Sequence, residues 1–167
     1  MKRIVAISLL GFCLPLSATA TDPTQYVAQL SGNSEVPSIS TAASGRFRAY
    51  LAKDGLHYDL TYAGLEGGAL AAAHIHLGQR HTAGGVIAFL CSNPPASPGV
   101  PSCPAAPARV TGILTAANVI GPAGQGITAG EFDALIKALA NRTAYVNVHT
   151  ATFPSGEIRG SVNRVSP

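Results

Sequence analysis

The sequence has no tryptophan, a single methionine that is Met1, and charged side chains at only 11% of its 167 positions. The missing methionines exclude a methionine-rich copper(I) carrier. Aromatic residues make up 6% of the chain and no basic run occurs, so the footprint of a nucleic-acid binder is absent. The lack of a broad aromatic stripe also speaks against sugar or peptide binding. No phosphate loop, dinucleotide fingerprint or serine or cysteine nucleophile constellation can be found. The apolar run Ile4 to Leu16 is too short to span a membrane.

That run has another reading. Lys2 and Arg3 precede it and Ala18-Thr19-Ala20 follow it, which is the pattern of a secretory signal peptide over residues 1–20, with the mature chain starting at Thr21. Phe12 stands before Cys13 where lipoprotein processing wants a small residue, so a soluble periplasmic or secreted protein is expected. About 147 residues then remain as a single domain, 21–167. Losing Lys2 and Arg3 takes the formal charge from +3 to +1. Cysteine falls to two, Cys91 and Cys103, which in an oxidising compartment can pair only with each other. The loop they close is rich in Pro and Ser, and cross-linking it should stabilise the fold by roughly 3 kcal/mol.

What is abundant is short alternating apolar runs. Gln25 to Leu30 reads as an opening strand, followed by an irregular Gly/Pro/Ser stretch. GRFRAYLAK and LHYDLTY alternate with period two around Asp54-Gly55, a hairpin signal. Phe47, Ala49 and Leu51 share one face there, and His57 falls on the polar face beside Asp59 as a solvated histidine. Leu70 to Leu77, Gly84 to Leu90 and Ala108 to Leu114 are further strands. Ala144 to Thr150 and Glu157 to Asn163 form a last hairpin across Phe153-Pro154-Ser155-Gly156. One helix is expected: Thr128 and Glu131 make a capping box, Phe132, Leu135, Ile136 and Leu139 make one apolar stripe, and Asn141 ends it. The fold class is all-β, an antiparallel Greek-key sandwich or barrel with one short helix.

The chemistry gathers in AAAHIHLGQRHTAGG, residues 71–85, which holds three of the five histidines. In a strand, His74 and His76 stand on one face roughly 6–7 Å apart at Cα, within reach of one metal ion. Ala73, Ile75 and Leu77 take the other face, so the histidines should look away from the core and be roofed by loops. His149 ends the strand-like run TAYVNVHT and would complete a three-imidazole site. Tyr145 and Asn147 share its face and are read as sheet structure or as partners that orient the imidazoles. Three histidines suit Cu(II) or Zn(II), with copper preferred because imidazoles hold it in both oxidation states.

LSGNSEVPSISTAASGRF, AHIH, YVNVHT and PSGEIRGSV, in that order, resemble the CHRD domain, named after chordin and common in exported bacterial proteins. The resemblance runs from about Gln25 to Val162, and Ser92 to Pro107 looks like an insertion. A second resemblance is to copper/zinc superoxide dismutases, Greek-key barrels that hold copper on an outer face. By that resemblance His74, His76 and His149 would be copper ligands, Arg159 the anion-guiding arginine, and His81 the candidate for the bridging histidine. No further His and Asp follow His81 to build a zinc site, so the implied enzyme is copper-only, with superoxide as its small anionic substrate. Alternatives are a non-catalytic CHRD binding or copper-storage module and a three-histidine zinc hydratase or hydrolase. For Arg159 the competing expectation is a salt bridge with Glu157.

Overall fold

The computed structural model describes residues 24–165, so the leader expected at 1–20 lies outside the described residues. Alternation of apolar and polar side chains writes most of the strands directly. In β1 (Gln25–Ser31) and β2 (Ser44–Ala52), Tyr26, Ala28, Leu30, Phe47 and Ala49 point inward and the intervening residues face solvent or lie half-buried. In β3 (Gly55–Ala63), Leu56, Tyr58, Leu60 and Tyr62 do the same. The β2–β3 turn is Lys53-Asp54, one residue earlier than the Asp-Gly signal suggested, because Gly55 already pairs with Ala52. Leu51 departs from the expected inward face and is 41% exposed, since the core ends at Ala49 on that strand.

The remaining strands are β4 (Leu70–Leu77), β5 (Val86–Ser92), β6 (Ala108–Leu114), β7 (Ala144–Thr150), β8 (Ile158–Ser161) and β9 (Asn163–Val165). They join one antiparallel sheet in the order β5-β4-β7-β8-β1-β2-β3-β6, with β9 added to β1. The sheet curls into a nearly closed barrel, as the all-β expectation required. Across the seam, the Tyr58 hydroxyl of β3 donates to Leu90 O of β5 at 2.7 Å. The outer edge of β5 is covered by a bridge from Ala88 to Val119, which spares it the fate of an open edge strand. The expected last hairpin is broken after Ser161: Val162 turns fully inward and the chain restarts as β9 along β1.

Helix α1 (Phe132–Ala140) buries Leu135, Ala138 and Leu139. Its start lies later than the capping box predicted. The Glu131 carboxylate does accept the Thr128 N–H, but residues 128–131 form a turn before the first helical residue. Cys91 and Cys103 are disulfide-bonded. Asn93 organises the loop between them: its amide donates to Leu70 O and Cys103 O, and its carbonyl accepts the Cys103 N–H.

Buried Glu157, at the end of the β7–β8 turn, ties three loops together. It accepts from Thr41 Oγ1 (3.0 Å), Thr150 Oγ1 (2.8 Å), Glu66 N (2.6 Å) and Gly67 N (3.0 Å). Glu157 is therefore spoken for, and the salt bridge to Arg159 does not form.

Candidate metal centre

The centre is built on the outer face of three adjacent strands. Within β4, Ala73 and Ile75 enter the core, which sends His74 and His76 to the opposite face. Strand β7 lies antiparallel beside it, pairing Ala72 with His149, His74 with Asn147 and His76 with Tyr145. Because Ala72 is small, His149 can lean across toward His74. On the other side, β5 carries two bulges, between the partners of Ala73 and His74 and again between those of Ile75 and His76. Such bulges re-aim side chains, and here Phe89 is brought edge-on to the His74 ring, centroids 4.5 Å apart.

One ligand nitrogen from each of His74, His76 and His149 lies within 4.8 Å of the others. The expected outward face is the observed one, and loops roof it so well that the three are only 7–9% exposed. Two of the rings have their tautomer set by main chain. His76 Nδ1 is 2.9 Å from Gly84 O and His149 Nδ1 is 2.9 Å from Pro154 O. A carbonyl only accepts, so each Nδ1 carries the proton and each Nε2 presents a lone pair. His74 Nδ1 approaches His149 Nε2 at 3.0 Å, while His76 Nε2 is buried without a partner. Burial holds His74 down at about 3, helped by the neighbouring His149 and His76. Burial likewise takes His76 to about 4, against the opposing pull of the Gly84 carbonyl. His149 is lowered by burial too, with the Pro154 bond acting the other way. Three neutral imidazoles whose ring nitrogens converge, one of them orphaned, are a donor set that fits a divalent ion.

Arg159 is not at the surface. It is 2% exposed, and its guanidinium carbon sits 3.4 Å from the centroid of the Tyr145 ring. That ring in turn stacks on His76 at 4.6 Å and 7°. Arg159 Nη2 donates to Gln79 O and Thr82 O, fastening the loop that runs to Gly84. Gly84 has no room for a side chain there: a Cβ would fall 1.6 Å from Leu77 O. Its tightness aims the carbonyl at His76, and the Tyr145 hydroxyl bonds both its N–H and its C=O.

His81 does not join the three. It is exposed, at φ 64°, in a shallow cleft with Arg46, Arg80 and Asn163. His57 is half-buried on β3, bonded to Asp54 rather than lying free beside Asp59, which pairs with Arg109.

Glu35 is the residue that sequence reasoning passed over. It is 6% exposed, with Oε1 unpartnered, and it lies where Gly156 leaves a notch: a Cβ at Gly156 would be 2.2 Å from that oxygen. Burial pushes its carboxyl up to about 7, although the Val36 N–H, the Arg159 charge and the Asn147 amide all pull it down. The available signal was its place in SGNSEVPSIS, a motif used only to recognise the family.

The family model for the CHRD domain matches residues 26–162. The chain belongs to the CHRD family. No curated protein and no solved structure matches it. The motifs on which the resemblance was read in the sequence are the ones that build the centre. In this CHRD domain SGNSEVP supplies Glu35, AHIH supplies His74 and His76, YVNVHT supplies Tyr145, Asn147 and His149, and PSGEIRG supplies the Pro154 carbonyl, Gly156, Glu157 and Arg159.

Proposed function

We propose that this CHRD protein is exported and holds one copper ion on His74, His76 and His149, and that the loaded protein dismutates superoxide. The observation that carries the metal is the orphaned Nε2 of His76, pointing into a group whose other two members already lie 3.0 Å apart. Copper supplies one-electron exchange in both directions, the whole of what dismutation asks of a metal. Imidazoles without thiolate or carboxylate support both oxidation states. Tyr145 and the Gly84 carbonyl keep His76 oriented. Arg159, one ring away from His76, supplies a fixed positive charge that favours a small anion at the centre. The Cys91–Cys103 disulfide and the leader expected at 1–20 support a periplasmic or secreted location.

A second reading has its own observation. All three histidines are at most 9% exposed, which favours a module that keeps copper rather than one that turns over substrate. One experiment separates them. Mature protein is prepared, its metals are measured by mass spectrometry, and superoxide removal is assayed with and without added copper. One copper per chain with copper-dependent removal is expected. Copper bound without activity leaves the storage reading, zinc with activity toward water addition favours a hydratase, and no metal after loading refutes the centre.

A further inference from the structure

The surroundings of His149 Nε2 contain a conflict. With Nδ1–H given to Pro154 O, Nε2 is a lone pair, yet Asn147 Oδ1 faces it at 2.9 Å. His74 Nδ1, at 3.0 Å, can donate to His149 but does nothing for the amide oxygen. Two buried acceptors this close are unfavourable unless something positive lies between them. Exchanging the tautomer of His149 moves the conflict to Pro154 O. Turning the amide over gives up the contact of Asn147 Nδ2 with Ser155 O at 3.5 Å and sets Oδ1 toward that carbonyl.

We infer that Asn147 Oδ1 is a fourth protein ligand of the ion held by His74, His76 and His149. This rests on the metal reading above and adds a ligand to it. Donors about 2.0–2.1 Å from one ion and at right angles to each other stand about 2.9 Å apart. Both neighbours of His149 Nε2 are at that spacing. The position is a rigid one. Asn147 is 2% exposed, in the middle of β7, paired with His74 on one side and Arg159 on the other. Its Nδ2 end faces Ser155 O at 3.5 Å, which leaves Oδ1 turned to the histidines. Three nitrogens and one oxygen form the mixed set that tetragonal Cu(II) accepts.

The test compares wild type, Asn147→Ala, Asn147→Asp and His76→Ala, each loaded with Cu(II), by electron paramagnetic resonance and by competition with a chelator. Circular dichroism of the metal-free forms checks that each is folded. Asn147→Ala should bind copper at least tenfold more weakly and with an altered copper hyperfine splitting. Asn147→Asp, which keeps an oxygen in place, should return affinity to within a few-fold of wild type while its spectrum reports the added charge. An unchanged spectrum in both variants, with His76→Ala losing copper, overturns the fourth ligand and leaves the three-histidine centre standing. A wild type that takes up neither copper nor zinc overturns the centre and this inference with it.

Discussion

Acidifying the metal-free protein from pH 6.5 to pH 5 should cost it stability through His74 and His76. In the unfolded chain both rings take up protons near 6.5, whereas in the folded chain His74 waits until about 3 and His76 until about 4. Between those values the unfolded state binds more protons, so stability falls with pH. The contribution is fully present above 6.5 and is lost as pH drops toward the folded values. Well below 6.5 the slope is about 1.4 kcal/mol per pH unit for each ring, and because the unfolded ring is already half protonated at 6.5 the loss from 6.5 to 5 sums to about 1.6 kcal/mol per histidine. Two rings give about 3 kcal/mol, a large part of the ~5–15 kcal/mol that holds a domain together. Glu35, raised to about 7, works in the opposite sense and gains stability over the same interval. Comparison with a His74→Gln/His76→Gln double variant cancels that term. Urea unfolding followed by circular dichroism at pH 7, 6 and 5, with chelator present, reads the difference. If wild type and the double variant lose equal stability, the rings are not held neutral and the reasoning fails.

Removing the Glu157 carboxylate as Glu157→Ala orphans two backbone N–H groups and two hydroxyls, and should cost about 3–5 kcal/mol in urea unfolding at neutral pH; a loss under 1 kcal/mol would show the knot to be incidental. Gly156→Ala drives a methyl into Glu35 at a φ of 126° and should lower stability by about 2 kcal/mol or more in the same measurement, with Glu35→Ala partly relieving it. Replacing both Cys91 and Cys103 by Ser should cost about 3 kcal/mol, read as a lower thermal midpoint, while leaving metal stoichiometry unchanged because neither cysteine belongs to the histidine group. Arg159→Ala should release the 79–82 loop, seen as faster amide exchange at Gly84 and weaker metal binding; unchanged exchange would show the loop to be held by other contacts.

The strands were legible because a barrel wall is dry on one side, so period two survives in β1, β2 and β3. The metal group was legible for the same reason. His74 and His76 share parity on β4, and Ala72 opposite His149 sets the second strand beside them. What the sequence did not show depends on distant backbone. Arg159 was expected to guide an anion or to pair with Glu157, because parity gives a face but not a roof, and the loop it fastens lies about eighty residues earlier. Glu35 sits in an irregular stretch with no period to read, and only the notch at Gly156 brings it to Asn147. The bulges on β5 leave no mark in the apolar run VIAFL, whose residues are buried or half-buried on both sides of the irregularity. The helix began late because a capping box can close a turn without starting a helix.

The carbonyls of Gly84 and Pro154 decide which nitrogen of His76 and His149 is free, and a carbonyl belongs to every residue alike. Side chains at those two positions therefore matter for the path of the chain rather than for any chemistry of their own. Someone wishing to transplant this centre onto another barrel would gain little by copying histidines alone. The graft would have to include the two hairpin ends as whole pieces of backbone, and its success could be judged by which imidazole nitrogen carries the proton.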